Sequence, residues 1–425
     1  MKKYSDMIPE RLINRIFEAA SIQRWNDHVR PVELTELDKQ AHKMVIAWVL
    51  AKYQQESWQI DWTRLMEAGL FEFLHRVVLT DIKPPVFHYL MKKAGRQLNA
   101  YVLSELEDDL SGIKSPGSGR PLHELMSRYL FEPDYSRKER YILNASHYLA
   151  TKWEFELVYH AYPNMYGIQE TKQEIEDKIE DYYQLTGVQK ILLGGKSHHF
   201  IDLVSQLRFQ KRWSKTPRIP QTSVLGHMLV VAQLTYLMLA AGLGPRGEKR
   251  LYNDFFSALI HDLPEVYTRD IISPVKREVK GLDQVILEYE RRKLEDKILP
   301  LLPDSWHGQI VYFLDNQFCD RYQKGGRTLL KQTSGESGSE GTDSPEALRF
   351  DPAEFEQDRF NPVDGRLIKI ADELAAFWEA GLSIAHGIRS PNLKNALEKL
   401  HRKHKDDPQA APLFDKAVFE RMAAF

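Results

Sequence analysis

The chain has 425 residues, of which 43% are hydrophobic and 28% are charged, a balance typical of globular proteins that bury sizeable cores. Its formal net charge of −2 argues against a nucleic-acid or membrane-surface partner. The single cysteine, Cys319, excludes an intrachain disulfide and a cysteine-based zinc site, and it fits a reducing, cytoplasmic location.

From the N-terminus onward, the pattern predicts helices, with apolar residues three and four positions apart and with Pro and Gly between segments. The clearest helix begins at Thr222 or Ser223 as N-cap and ends near Gly242. Its apolar run at 228–244 contains Gln233 and favours a buried core helix over a membrane span. Strand signals are scarce, so the sequence predicts an all-α protein.

Three pairs of segments resemble each other and occur in the same order along the chain. The first pair shares Arg-Trp, four residues and then Arg, and each member is followed by a histidine at the start of an apolar helix, His42 or His227. The matched segments are 22–31 with 209–220, 69–86 with 258–275, and 144–154 with 369–379. The pattern predicts two related helical domains in tandem.

The resulting domain boundaries follow the repeat and the changes in composition. We expect a first domain at 1–165, a charged and Gly-containing connector at 166–200, and a second domain at 201–395. A Ser/Gly/Glu-rich stretch near 325–350 predicts a disordered insertion in the second domain. The charged tail at 396–425 is expected to add one or two surface helices.

Four residues of the second domain, from three helical segments, form a candidate metal site: His227, His261, Asp262 and Asp372. Imidazoles and carboxylates suit one divalent transition metal ion, such as Mn, Co, Ni, Fe or Zn. Adjacent helical residues point about 100° apart, so His261 and Asp262 reach one ion only at a helix end or distortion, which Pro264 could cause. A lone His-Asp step is usually a cap or a surface feature, but the joint set favours ligation, because unpaired polar groups in apolar helices are costly.

This H…HD…D set resembles the signature of the HD superfamily of metal-dependent phosphohydrolases. The stretch HDLPEVYTRDIISPVK at 261–276 is similar to the bacterial HD-type 5′-deoxynucleotidases, as are the upstream Arg-Trp element and KIADELAAF around Asp372. The resemblance covers most of 205–385. It implies two tandem HD-domain-like helical domains, with the metal held by the four residues of the second.

The resemblance also implies roles around the metal. Glu265 and Asp270 would orient and deprotonate an attacking water, and Arg212 would contact the phosphate. Two alternatives stay open. The two acids could be solvated charges at a helix end, and Trp213 could serve only in packing. The remaining substrate-binding candidates are Trp213, for the sugar or base pocket, and Arg218 and Lys276, for the phosphate.

The first copy lacks most of the candidate metal ligands, so we expect it to have lost its metal and to pack on the active copy. His42 is aligned with His227, and Asp81 with Asp270. A vestigial anion site at Arg24, Trp25 and Arg30 stays open. Opposite His261, Asp262, Glu265 and Asp372 the first copy has Glu72, Phe73, Arg76 and His147.

The sequence favours a metal-dependent phosphomonoesterase for nucleoside 5′-monophosphates or related small phosphate esters. The alternative is a regulatory HD module that senses a nucleotide without turnover, which would not need Glu265 and Asp270. We expect a small phosphorylated substrate, no nucleic acid, no membrane and an intramolecular pairing of the two domains, while a homo-oligomer stays open.

Overall fold

The predicted all-α class is confirmed. Apart from two small antiparallel strand pairs, the regular structure of the described part is helical. The computed structural model describes residues 8–80, 82–242, 247–269, 281–331, 350–408 and 410–423.

The N-terminal half begins with a helix and a two-residue strand pair, which lead into the long helix α2. The elements are α1 (Glu10–Glu18), β1 (Gln23–Arg24), β2 (Leu34–Thr35), α2 (Glu36–Gln54), α3 (Trp62–Leu79), α4 (Pro84–Glu105), α5 (Glu107–Leu110), α6 (Leu122–Phe131), α7 (Arg137–Ala161), α8 (Ile168–Glu180), α9 (Thr186–Leu192) and α10 (Lys196–Ser205).

The C-terminal half is built around the apolar helix α11. Its elements are α11 (Val224–Ala240), α12 (Glu248–Ile260), α13 (Glu265–Thr268), α14 (Leu282–Lys293), α15 (Asp304–Leu314), β3 (Arg321–Lys324), β4 (Arg327–Leu330), α16 (Pro352–Phe355), α17 (Gly365–Ala385), α18 (Pro391–His404) and α19 (Ala417–Ala423). Short 3₁₀ turns lie at Gln206–Phe209, Leu299–Leu301, Asp358–Phe360 and Ala411–Phe414, and a π turn at Leu294–Ile298.

Helices α2 and α11 lie against each other at the centre of the molecule. The hydroxyl of Ser223, the N-cap of α11, accepts from the Gly226 N–H (2.9 Å) and donates to the Asp38 carboxylate on α2. A Cβ on Gly226 would lie 2.8 Å from Asp38 Oδ1, so this close approach requires glycine. Every residue of α11 is buried, as expected for a core helix, and no helix among the described residues meets the length and apolarity needed to cross a membrane.

The two halves share one hydrophobic core instead of forming separate ones. Trp48 on α2 donates its indole N–H to the hydroxyl of Tyr252 on α12 (3.0 Å), and the ring of Trp62 lies 4.7 Å from that of Tyr252. Because Trp48 is only 4% exposed, truncating it to alanine should cost about 3–5 kcal/mol. The halves are therefore expected to depend on each other for stability.

Uncommon backbone conformations occur at matching places in the two halves. Trp25 and Trp213 have φ of 54° and 58°, and Thr80 and Arg269 have φ of 56° and 61°. Positive φ is rare for residues other than glycine, so its occurrence at matching positions in both halves is not expected by chance. They support the predicted relation between the halves, which itself stays a prediction.

The entry into the central helix is also alike in the two halves. Gln23 pairs with Thr35 and Lys211 bridges to Ser223, both antiparallel. Thr35 then caps α2 as Ser223 caps α11, each through a side-chain oxygen that accepts from the N–H three residues on. Counting from the two caps therefore gives the correspondence between α2 and α11.

Three parts of the predicted organisation look different in the structure. The connector is mostly helical, because α8 to α10 bury apolar residues such as Ile175 and Ile179. Within the predicted disordered insertion, residues 327–330 form the strand β4, and 332–349 lie outside the described residues. The tail is more than a surface addition, since Phe419 is buried against Gly381 of α17.

Candidate metal centre

The four predicted ligands are brought together from three helices. His227 lies on α11, His261 and Asp262 follow the last residue of α12, and Asp372 lies on α17. Nε2 of His227 is 3.1 Å from Oδ1 of Asp372, and the donor atoms of His227, His261 and Asp262 lie within 4.8 Å of one another. Three of the four predicted ligands therefore form one cluster, and Asp372 adjoins it through its contact with His227.

A helix end lets His261 and Asp262 face the same point, as the sequence suggested. Helix α12 ends at Ile260, His261 still has helical φ and ψ, and the chain turns before Pro264, which precedes α13. The Leu263 N–H donates to the Ile260 carbonyl (2.9 Å) and closes this turn. Nε2 of His261 lies 3.1 Å from Oδ2 of Asp262.

The protonation pattern suits cation binding. Burial, together with Arg212, lowers the pKa of His227. Burial also acts on His261, but the neighbouring Asp262 carboxylate outweighs it and raises the pKa of His261. Burial opposes ionisation of the two carboxyls, yet His261 brings the pKa of Asp262 to about 2, and Lys369 helps to hold that of Asp372 well below its usual range. The site thus holds two ionised carboxylates and one imidazole, that of His227, which favours its neutral form.

The hydrogen bonds of the two histidines fit a resident metal. Nδ1 of His261 lies 2.8 Å from the carbonyl oxygen of Ala258, which assigns the proton to Nδ1 and leaves the Nε2 lone pair directed into the site. This buried Nε2 faces the carboxylate of Asp262, 3.1 Å away. Nδ1 of His227 lies 3.8 Å from Oε1 of Glu379, which is beyond hydrogen-bond distance, and its Nε2 faces Asp372. This mixed nitrogen and oxygen donor set fits a divalent transition ion.

Arg212 and Trp213 are fixed beside the candidate ligands by Glu379. The indole N–H of Trp213 donates to Glu379 Oε2 (2.8 Å), and Nε of Arg212 donates to the same oxygen (3.4 Å). Nη1 of Arg212 lies 3.7 Å from Oδ2 of Asp262. The guanidinium predicted to contact a phosphate therefore lies next to a metal ligand.

Other predicted substrate residues have different surroundings. Arg218 is buried, donates to the hydroxyl of Thr222 (2.7 Å) and lies 3.7 Å from Glu379, so the structure gives it a structural environment. Glu265 begins α13, and its N–H donates to the Asp262 carbonyl (3.0 Å). The predicted residues Asp270 and Lys276 lie outside the described residues.

Sequence reasoning missed two side chains at this site, Glu379 and Lys369. Both lie on α17, and Nζ of Lys369 donates to Oδ2 of Asp372 (2.8 Å) and lies 4.2 Å above the Phe318 ring. The sequence does contain a signal for Glu379. The matched segments 144–154 and 369–379 both end in Trp-Glu, which places a carboxylate in an apolar helix. Lys369 carries no comparable signal.

The N-terminal half corrects one predicted correspondence. Lys39, not His42, lies four residues after its helix cap, as His227 does. Lys39 contacts Nδ1 of His147, just as His227 contacts Asp372. His42 points elsewhere and lies 3.0 Å from the carbonyl oxygen of Ile201.

Comparisons with known proteins found one family match and one similar protein. Residues 204–401 match the family described as an HD domain. The chain is also similar to a 5′-deoxynucleotidase of Pasteurella multocida (strain Pm70), with 25% identity over 128 residues, which are 28% of this chain and 62% of that relative. The chain thus covers less than two thirds of the relative's length. No solved structure matches the chain.

Proposed function

Because residues 204–401 are an HD domain of the HD superfamily, we propose that this chain is a metal-dependent phosphomonoesterase for nucleoside 5′-monophosphates or related small phosphate esters. One observation carries the proposal: two histidines and two aspartates from three helices converge, and Arg212 lies beside them. A metal ligand set next to a guanidinium suits a phosphate ester, since both groups neutralise phosphoryl charge.

The protein residues divide the work around the phosphate. When bound, a divalent cation supplies Lewis acidity and lowers the pKa of a water. Arg212, held by Glu379, donates to the phosphoryl oxygens, and the ring of Trp213 forms a wall for the sugar or base. Glu265, which starts the helix after Asp262, accepts the proton of the attacking water.

Two roles rest on the sequence alone. Asp270 is proposed to assist Glu265 as the second acid, and Lys276 is proposed as a further phosphate ligand. Arg218 is proposed to act indirectly, by holding Glu379 and Thr222 in place. Nucleotides are favoured as substrates because the similar Pasteurella protein is a 5′-deoxynucleotidase.

We also propose that the N-terminal half is a degenerate copy that packs on the HD domain and binds no metal ion. The shared caps, strand pairings and positive-φ residues support common descent of the two halves. Lys39 and Glu72 stand where the HD domain has His227 and His261, and Phe73 stands opposite Asp262, so both imidazoles and one carboxylate of the ligand set are replaced.

The test is a phosphate-release screen with nucleoside 5′-monophosphates, their 2′-deoxy forms and p-nitrophenyl phosphate, each with Mn²⁺, Co²⁺, Ni²⁺, Zn²⁺ and Mg²⁺. We expect metal-dependent release that Asp262→Ala abolishes. Asp304→Asn, at a residue whose side chain is 96% exposed, is the matched control and should keep full activity. Equal release by Asp262→Ala and the unmodified chain would refute the proposal, and tight nucleotide binding without release would favour the sensor alternative.

A further inference from the structure

A cleft of about 610 Å³ lies at the start of α12, at the opposite end of that helix from the candidate metal centre. Its walls are the first turn of α12, helix α15, strand β3 and the turn at 358–361. Lys249 lines the cleft and lies about 18 Å along α12 from His261. Because sites for small molecules usually have volumes of about 300–1000 Å³, the cleft is large enough for a ligand of its own.

Two basic side chains, Lys249 and Arg359, line this cleft together with the carboxylate of Asp358. Both oxygens of Asp358 accept backbone N–H groups at the start of α12, from Lys249 (3.1 Å) and from Arg250 (3.3 Å). Burial lowers the pKa of Lys249, and the charge of Asp358 opposes this effect. The guanidinium of Arg359 is charged at any ordinary pH. The cleft therefore presents basic groups to a ligand, while its carboxylate is held by the backbone.

A third cation, Lys52, stands next to Lys249 and belongs to the N-terminal half. Its ammonium lies over the rings of Trp306 (5.6 Å) and Trp48 (5.9 Å). Burial, together with the charge of Lys249, lowers the pKa of Lys52 to about 8. At pH 7 about nine in ten molecules therefore still carry this ammonium. The charged neighbour that acts on Lys52 is thus another cation, and an anion in the cleft would offset their repulsion.

Carboxamide side chains form another part of the cleft wall. Nδ2 of Asn361 donates to Oε1 of Gln323 (2.9 Å), and the Tyr312 hydroxyl donates to the Asn361 carbonyl (2.6 Å), so the wall is held in place. Gln309 hydrogen-bonds the hydroxyl of Tyr252, and its buried Oε1 has no donor among the described residues. Carboxamides both donate and accept, so they suit the hydroxyl groups of a sugar and the edge of a base.

We propose that this cleft binds a phosphorylated small molecule, a nucleotide or a sugar phosphate, at a site separate from the HD-domain site. The phosphate accepts from Lys249 and Arg359, and the organic part bonds to Gln309 and Gln323. The ammonium of Lys52 adds positive charge from the N-terminal half. A bound ligand therefore interacts with charges of both halves. This binding does not depend on hydrolysis at the HD-domain site.

The experiment is isothermal titration calorimetry of the full chain with AMP, with ribose 5-phosphate and with inorganic phosphate, at low ionic strength. All proteins carry Asp262→Ala and are kept in EDTA, so the HD-domain site contributes equally to each titration. Lys249→Met keeps the length of the side chain and removes its charge, and Arg359→Gln repeats the test from another element. Lys93→Met, at an exposed lysine of α4, is the matched control.

We expect saturable binding of an organic phosphate that Lys249→Met and Arg359→Gln each weaken at least about tenfold and Lys93→Met leaves unchanged. Both cleft side chains are partly exposed, so both variants should fold. Tighter binding of AMP than of ribose 5-phosphate identifies a nucleotide as the ligand, and equal affinities identify the sugar phosphate as the recognised part. Absent binding, equally tight binding in the two cleft variants, or inorganic phosphate binding as tightly as the organic phosphates would each overturn the proposal.

Discussion

Replacing Glu379 with glutamine should both destabilise the HD domain and weaken substrate binding. The buried carboxylate accepts from Trp213 (2.8 Å), from Arg212 (3.4 Å) and from the Thr222 hydroxyl, and it lies 3.7 Å from Nη1 of Arg218. A neutral amide removes the carboxylate charge that both guanidinium groups share, and leaves Asp262 as the carboxylate near Arg212. Breaking a buried pair in this way costs about 3–5 kcal/mol.

The pKa of Glu379 gives a second route to the same magnitude. Burial opposes ionisation, but Arg218 and Arg212 lower the pKa of Glu379 from its usual 4.5 to about 2. A lowered folded-state pKa adds stability above the unfolded-state value, here about 3 kcal/mol, and that stability is lost as the pH falls from about 4.5 towards 2. Unmodified protein and Glu379→Gln should therefore approach equal stability over this acidic range.

The chain offers a matched control in Glu154. This carboxylate of the N-terminal half accepts from Arg24 (2.8 Å), Trp25 (3.1 Å) and Arg208 (3.0 Å), an arrangement close to that around Glu379. Both glutamine variants should lower the melting temperature, in keeping with a loss of about 3–5 kcal/mol. Only Glu379→Gln should raise KM, by about tenfold or more, because Arg212 loses its support.

Differential scanning calorimetry and steady-state phosphate release, both below the melting temperatures, measure these effects. A change of less than about 1 kcal/mol in Glu379→Gln would contradict the assignment of Glu379 as the anchor of Arg212. So would an equal rise in KM in Glu154→Gln.

Three further predictions concern the metal centre and the interior. By elemental analysis, the unmodified protein should carry about one divalent transition ion per chain. EDTA should lower its stability, by about 2.7 kcal/mol if the ion was present at 100 times its Kd. Asp262→Ala should carry no ion, and EDTA should not change its stability. Lys369→Met should lower kcat/KM about tenfold in phosphate-release assays with metal content unchanged, since the ammonium beside Asp372 is placed to reach a phosphate; unchanged kinetics would contradict this. Burial raises the pKa of Glu67, which accepts a hydrogen bond from Tyr236, to about 7. Between pH 4.5 and pH 8 the folded protein therefore keeps a proton that the unfolded chain has released, and the free energy of unfolding should fall by about 3 kcal/mol over this range. Denaturant titrations of Glu67→Gln should not show this fall.

The helical fold could be predicted from the sequence because it depends on local signals. The apolar spacing marks α11, the cap signal gives its start at Ser223, and the His-Asp step before Pro264 marks a helix end. Such signals extend over a few residues, so no knowledge of distant contacts was needed.

The residue-by-residue correspondence between α2 and α11 could not be fixed by the same signals. His42 and Lys39 lie three residues apart on α2, so both fall on neighbouring positions of one helix face. An apolar pattern cannot choose between them, and matching histidine to histidine selected the wrong one. Only the distance from the cap, Thr35 or Ser223, separates the two choices.

Roles set by distant partners were also out of reach. Arg218 was expected to contact a phosphate, but its charge is opposed by Glu379, 161 residues further along the chain. Lys369 was overlooked because a lysine on an exposed helical turn and a lysine beside Asp372 look alike in sequence. The sequence supplies the charged groups, whereas the packing of α17 against α11 decides which of them meet.

The two halves show how one framework accommodates two different sets of side chains. In both, a glutamate holds an Arg-Trp pair beside the central helix, and this anchor is independent of any metal. In the HD domain the anchored region receives two aspartates, whose mutual repulsion a dication would offset. In the N-terminal half Lys39 and His147 meet in the corresponding region, where the HD domain has His227 and Asp372. That pair offers no carboxylate to a dication, so the same helical framework can be kept while the ligand set is lost.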